Sequence, residues 1–405
     1  MLPVLPPGKP AGTDPPTVTP MDSADQVTDE ATATGRSMGV EEEFLLVEPL
    51  HGGTVALASP VLARARSALR LTPSPALHAE LLATQVEAAT APCTTADRLR
   101  DQIVEGRRVL ADAARAEGVL LVSAGTPVLA GRPPAATEGA RFERITDTYA
   151  GVVADYQACG CHVHVGVPDR DTAVAVVNHL RPWLPTLLAL SGNSPFHHGV
   201  DTGYQSWRLV QQSRFPGSGV TPWFGSAQEY DAAIDRLVDC GVLIDASMSF
   251  WLARPASRLP TVELRVADAA TTVDEAVLQA ALSRALVRTA LAELAAGREA
   301  PPGDPQLAAA AVWSAARYGP HGPGVHVVRE EPAPAVELVC ELVDLLTPAL
   351  EDTGDLDLVR SGVAAVLGRG TGADRQRDAW LGGPAALLDL LTVHEPGASG
   401  YSTAS

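Results

Sequence analysis

Four stretches of the chain carry residue types whose spacing could do chemistry. In Val40-Glu41-Glu42-Glu43-Phe44-Leu45-Leu46-Val47 the apolar end favours a strand, and side chains on a strand alternate between faces. Glu41 and Glu43 then share one face and Val40, Phe44 and Leu46 the other, with Glu42 on the apolar side near the strand entrance. Two carboxylates two residues apart repel unless a cation sits between them. A hard divalent ion with oxygen ligands is the natural candidate; an edge strand carrying solvated acids against aggregation is the alternative. In Cys161-His162-Val163-His164-Val165-Gly166 the two imidazoles share a face in the same way, which suits metal ligation. In Thr261-Val262-Glu263-Leu264-Arg265-Val266, Thr261, Glu263 and Arg265 lie opposite three apolar residues. Glu80 and Glu87 are seven apart and share a face if Leu77–Glu87 is a helix. That stretch could also break midway, with Gln85 to Glu87 in a strand, or the two could be ordinary exposed acids.

The elements that must position these residues follow from one repeated design, a polar pair backed by apolar neighbours. An α+β fold accounts for it: an antiparallel sheet with one polar active-site face and helices packed on the other. Thr94 or Thr95 caps a helix whose apolar stripe is Leu99, Ile103, Val109 and Leu110, stopped by Gly118. Val119 to Val122 reads as a short buried strand, and Phe250 to Arg254 as another. A helix over 171–190 is expected to kink near Pro182 and Pro185. Further helices are expected at about 274–296, 335–351, 355–367 and 374–392, with a Pro/Gly-rich excursion over 298–335. The loop from Gly192 to Gly225, rich in Gly, Pro and aromatic residues, suits a rigid binding wall or a long structural excursion. Gly370 to Arg377 lacks the glycine spacing and the lysine of a phosphate loop and reads as a helix C-cap leading into an N-cap turn. Residues 1–36 are expected to form a disordered tail, 37–394 one catalytic domain and 395–405 a second tail.

The composition removes whole classes of function. A formal net charge of −18 over 405 residues argues against nucleic acid or an anionic membrane as a partner. Lys9 is the sole lysine, and it lies in the tail. That rules out a P-loop lysine and a pyridoxal Schiff base. Any phosphate chemistry must rest on Arg, metal and backbone. Five scattered cysteines suit a reducing cytoplasm rather than a disulfide framework. Cys159-Gly160-Cys161 has no second pair to complete a structural zinc site. The N-terminus lacks the features of a signal peptide, and no run of about 18 apolar residues suggests a membrane span.

Taken together, these stretches resemble the glutamate–cysteine ligase type 2 family of carboxylate–amine ligases. The matching residues are Gly39 to Phe44, Glu80 to Thr90, His162 to Gly166, Gly192 to Phe196, Asp201 to Tyr204, Thr261 to Val266 and Gly372 to Arg377. His162-Val163-His164 and Val262-Glu263-Leu264-Arg265 also look, more distantly, like the metal-histidine and Glu-x-Arg strands of glutamine synthetase. The resemblance implies a glutamine-synthetase-like catalytic sheet that uses ATP and two or three Mg²⁺ ions. It implies γ-glutamyl amide formation through an acyl phosphate, with weak glutamate–cysteine ligase activity. Glu41, Glu43, Glu80, Glu87, His162 and Glu263 are the implied metal ligands. Arg265 would stabilise the transferred phosphoryl and His164 would meet an ATP phosphate. Tyr204 and Arg208 would take the acceptor carboxylate. Small-molecule acid and amine substrates follow, without nucleic acid or membrane partners; whether the chain forms a homo-oligomer stays open. His197-His198 follows Phe196 where the family leads one to expect an aromatic residue. Two other readings compete: a metallohydrolase built on His162-x-His164 and the carboxylates, and a non-catalytic nucleotide-binding relative.

Overall fold

The structure, a computed structural model, describes residues 28–131 and 136–394. The strands in chain order are β1 (Met38–Val47), β2 (Ala76–Ala79), β3 (Gln85–Ala89), β4 (Leu120–Val122), β5 (Gly160–Gly166), β6 (Phe196–His197), β7 (Val200–Asp201), β8 (Ser218–Gly219), β9 (Phe250–Trp251), β10 (Ala253–Pro255), β11 (Thr261–Asp268), β12 (Pro323–His326) and β13 (Glu331–Pro334). The helices are α1 (Asp29–Ala33), α2 (Ala58–Arg66), α3 (Ala96–Ala116), α4 (Ala140–Tyr149), α5 (Arg170–Leu180), α6 (Leu184–Ser191), α7 (Trp207–Gln212), α8 (Ala227–Asp239), α9 (Val273–Ala295), α10 (Pro305–Tyr318), α11 (Ala335–Thr353), α12 (Leu356–Arg369), α13 (Gly372–Trp380) and α14 (Pro384–Leu391).

The main sheet runs β10-β11-β5-β1-β3-β2, with β4 also pairing β1. Its strand pairs are antiparallel. The alternation read from the sequence sets its two faces. Val163, Val165, Val262 and Leu264 enter one core with Val176 and Val177 of α5, Leu187 and Leu188 of α6, and Val277 and Ala281 of α9. The opposite face carries the polar residues and is roofed by a second, aromatic cluster. There Phe215 lies 4.7 Å from Tyr156 and 4.6 Å from Phe250, ring centre to ring centre. Phe215 comes from the loop expected to form a wall.

Several boundaries differ from the sequence reading for identifiable reasons. Glu80 and Glu87 do not share a helix: β2 and β3 form a hairpin in which Glu87 pairs with His78 and Glu80 begins the turn. The 171–190 helix breaks outright into α5 and α6, because Pro182 and Pro185 each remove a donor. Phe250 to Arg254 splits at Leu252: β9 pairs β8 in parallel, while β10 joins the main sheet. The Pro/Gly-rich excursion holds a 14-residue helix, α10, which starts with Pro305 in its first turn, where proline is tolerated, under an Asp304 cap. The last expected helix divides into α13 and α14 at Gly382-Gly383. Residues 1–27 and 395–405 of the expected tails lie outside the described residues. Within 28–36, though, the chain is ordered: Thr28 caps α1, and Arg36 pairs with Asp352 at 2.8 Å. No helix among the described residues is long and apolar enough to cross a membrane.

Candidate active site

The register of the sheet assembles the polar residues into rows. Glu41 on β1 pairs with His162 on β5, and Glu43 pairs with Glu87 on β3. Glu263 on β11 pairs with His164 on β5 and with Arg254 on β10. Between Leu264 and Ala267 the ladder shifts: two residues, Arg265 and Val266, oppose the single His162. This β-bulge reverses the alternation beyond it. Ala267 takes the apolar face opposite Cys161, and Asp268 comes to the polar face opposite Gly160. There Asp268 accepts from Asn193 N, Ser194 Oγ and Ser206 Oγ at 2.9, 2.7 and 2.7 Å.

Two groups of candidate ligands result. Glu43, Glu80 and Glu87 bring one oxygen each within 4.8 Å of one another, and so do Glu41, His162 and Glu263 with one ligand atom each. Two guanidinium groups lie against His162 of the second group. Arg265 Nη1 is 3.4 Å from His162 Nδ1 and also binds Glu263 Oε1. Arg208 Nη2 is 3.4 Å from His162 Nε2, and Arg208 Nη1 is 3.8 Å from Asp268. Glu41, Glu43, Glu80, Glu87, His162, Arg208 and Arg265 all line a cavity of about 190 Å³, closed on its far side by Arg141, Tyr156 and Phe250. Glu263 and His164 sit beside it. His164 Nε2 is 3.2 Å from Glu41 and Nδ1 is 3.0 Å from Thr261 Oγ1.

The electrostatics divide the carboxylates. Burial, then Glu80, pushes Glu43 up to about 8, despite Arg208, Arg265 and a 2.6 Å hydrogen bond from Gly160 N–H. Burial raises Glu80 too, although a hydrogen bond with Glu87 works against it. Glu87 is held well above the carboxylate range by burial and by Glu80, Glu41 and Glu43. Glu263 is the opposite case: burial works upward, but Arg265 and Arg254 hold it well below its usual value. Burial opposes ionisation of Glu41 as well, yet the His162 and His164 contacts keep its pKa low. His162 is pushed down to about 3 by burial and by Arg265, so its ring is neutral. For His164, burial is outweighed by Glu41 and Glu263, and the pKa rises.

Three crowded acids with raised pKa values would ionise together only with a cation among them. An all-oxygen set of this kind fits a hard ion such as Mg²⁺. Glu41, His162 and Glu263 offer a mixed oxygen and nitrogen donor set.

Tyr204 departs from the expected site. Its hydroxyl accepts from Trp313 Nε1 at 3.2 Å, and it lines a separate apolar cavity of about 370 Å³ with α7 and α10. Sequence reasoning also missed residues that matter. Arg254 Nε binds Glu263 Oε2 at 2.8 Å, and Asp268 anchors the turn after α6. An arginine at the end of the expected strand Phe250 to Arg254 was a readable signal for Arg254; for Asp268 the bulge hid it. Glu42 lies on the apolar side as expected. It is neutralised there by Arg107 of α3, which grips both carboxylate oxygens at 2.6 and 2.9 Å.

The chain matches the family model described as glutamate–cysteine ligase family 2 over residues 37–381. A protein of Saccharopolyspora erythraea, provisionally named glutamate–cysteine ligase 2-2, is 57% identical over 360 residues, covering 89% of this chain and 92% of its own. One of Mycolicibacterium vanbaalenii with the same provisional name is 45% identical, covering 85% and 93%. Among solved structures, the glutamate–cysteine ligase of Francisella tularensis in complex with AMP superposes with a TM-score of 0.63 at 14% identity. That match covers 88% of this chain and 87% of that one. A bifunctional glutathione synthetase from Pasteurella multocida gives 0.64 at 16% identity, over 90% of this chain and 53% of that one. These two likenesses establish the fold: a central antiparallel sheet flanked by helices, as in the glutamine-synthetase-like ligases. By its family match and its close relatives, the chain belongs to glutamate–cysteine ligase family 2, within the ATP-dependent carboxylate–amine ligases.

Proposed function

We propose that the cleft joins a carboxylic acid to an amine by first phosphorylating the carboxylate, with glutamate as the acid and weak activity toward cysteine as the amine. The observation that carries this is that Arg265 and Arg208 line one cavity with members of both cation-seeking ligand groups, both arginines reaching His162. A phosphoryl transfer to a carboxylate gathers triphosphate, acid and transferring group in one place, so catalysis is mostly positioning and charge neutralisation. The terminal phosphoryl of ATP moves to a carboxylate oxygen and ADP leaves. The amine nitrogen then attacks the acyl carbon, gives up a proton, and inorganic phosphate departs.

In this reading Arg265 faces the transferring phosphoryl, His164 meets a phosphate, and Arg208 takes an acceptor carboxylate. Glu43, Glu80 and Glu87 would hold one Mg²⁺, and Glu41, His162 and Glu263 another. Bound Mg²⁺ would offset phosphate charge and polarise phosphoryl oxygens. Tyr204 has no part here, since it lies in the separate cavity. The hydrolase reading built on His162-x-His164 puts both of those imidazoles on one ion, and of the two only His162 is grouped with Glu41 and Glu263.

The test is ADP release from ATP and Mg²⁺ with glutamate, cysteine added or withheld, and product by mass. Release that depends on both, with a γ-glutamyl dipeptide formed, is expected. Release only with another acid or amine would retain the ligase chemistry and overturn the substrates. No release with any pair, in folded protein, would favour the nucleotide-binding relative.

A further inference from the structure

A second ligand cluster lies outside the cleft. Asp155, His197 and His198 bring one potential ligand atom each within 4.8 Å of one another, at a cavity of about 140 Å³. The turn between β6 and β7 brings the two imidazoles together. Successive side chains of a strand point to opposite faces, which would send the two imidazoles apart. His198 is instead the first residue of the two-residue turn joining β6 to β7, where its φ of 51° is the left-handed value such a hairpin turn requires. The alternation is cancelled, and the two rings stand 4.0 Å apart.

An independent feature points to a ligand. Gln211, 3% exposed, lines the same cavity. One end of its amide is 3.2 Å from His197 Nδ1, and Oε1 has no partner. The two ends of an amide are interchangeable in shape. With Gln211 Oε1 turned to the ring, His197 Nδ1–H donates to it and His197 Nε2 presents its lone pair to an ion. A histidine ligand is commonly oriented in this way. In either orientation one buried polar atom of Gln211 lacks a protein partner, and ion-bound water supplies one. The other charge at the site is Arg214, which pairs with Asp155 at 2.9 Å and leaves the second carboxylate oxygen available.

We propose that Asp155, His197 and His198 bind a zinc-class divalent ion, with one coordination position open to water. Two imidazoles and one carboxylate suit Zn²⁺ or Co²⁺ and are a poor match for Mg²⁺, which takes oxygen ligands. The site shares walls with the cleft: Tyr156 and Gln212, next in sequence to Asp155 and Gln211, line the catalytic cavity. An ion here ties the segment carrying Asp155 to the hairpin of β6 and β7. The proposal does not depend on the ligase reading.

The experiment uses the full chain, stripped with a chelator, desalted and kept in excess Mg²⁺. Co²⁺ is titrated in while its visible ligand-field absorption is followed, and Zn²⁺ is then added to displace it. The wild type is expected to take up one equivalent with a band that Zn²⁺ bleaches. His198→Ala, at an exposed position, and Asp155→Asn are each expected to weaken Co²⁺ binding by at least about tenfold, with melting temperatures near wild type. Glu87→Gln, in the catalytic cleft, should leave the band in place. Equal Co²⁺ affinity in His198→Ala and Asp155→Asn, the absence of a band, or its loss in Glu87→Gln instead would each overturn the proposal.

Discussion

Glu43 keeps its proton at neutral pH in the metal-free protein, with a pKa of about 8, and its neighbours Glu80 and Glu87 are raised with it. In the unfolded chain these groups ionise near 4.5, so the folded state binds more protons than the unfolded one across that interval. Stability must then fall as pH rises from below the unfolded value toward about 8. The neutral His162, with its lowered pKa, opposes this trend only below its ordinary value of 6.5. A metal-free melting temperature that declines between about pH 7 and 8.5 is therefore expected. Mg²⁺ should bind more tightly over the same range and displace protons, measurable by calorimetry in buffers of different ionisation enthalpy. Proton-neutral binding would show that the acids are already ionised. At Arg265 the fork geometry matters: Arg265→Lys retains the charge but loses the planar donors. We expect kcat to fall about a hundredfold with the melting temperature little changed. An unchanged kcat would make Arg265 a structural residue.

The strand β5 is the element on which the site depends most closely. Its first residue, Gly160, donates to Glu43, and a Cβ there would come within 2.5 Å of Arg208 Nη2 and 2.6 Å of His162 Nε2. Gly160→Ala should displace both groups, cost about 1–3 kcal/mol of stability, and reduce turnover far more than its effect on melting suggests. Normal turnover in that variant would mean that neither contact serves the reaction. The three polar-paired strands were legible because a period of two needs nothing but the sequence. The hairpin that joins Glu80 to Glu87 was legible only in part: Gln85 to Glu87 is a strand in one of two readings, because a seven-residue spacing also fits a helix face and the two strands are only four and five residues long. The bulge at Arg265-Val266 was invisible. It arises from pairing with His162, a partner about a hundred residues away, and it is what carries Asp268 onto the polar face.

At the scale of the whole molecule, the stretches that carried the family resemblance separate into two groups. Those on β1, β3, β5 and β11 form the cleft. Those at Gly192 to Phe196, Asp201 to Tyr204 and Gly372 to Arg377 clamp one another instead. Gln376 Nε2 donates to Asn193 Oδ1 at 2.7 Å, and Arg377 binds Asp201 at 2.8 Å and the Tyr204 carbonyl at 2.7 Å. A Cβ on Gly372 would meet Asn193 Oδ1 at 2.2 Å. From sequence alone the two groups look alike, which is why Tyr204 was assigned to substrate. The Arg107–Glu42 pair is a second tie: Arg107 on α3 grips Glu42 on β1 and also donates to the Ala270 carbonyl at 2.8 Å, beyond β11. Both partners are buried, so Arg107→Met alone should cost about 3–5 kcal/mol, and adding Glu42→Leu should recover most of it. Chemical denaturation checks both. Equal stability of the single and double variants would contradict a buried, uncompensated charge.

The central claim is that the cleft activates a carboxylate by phosphorylating it. The most direct measurement supplies glutamate labelled with ¹⁸O in its carboxylates, together with ATP, Mg²⁺ and cysteine, and follows the label by mass. The account predicts one ¹⁸O per turnover in inorganic phosphate, and loss of that transfer in Glu263→Gln. Turnover that leaves the phosphate unlabelled would contradict it.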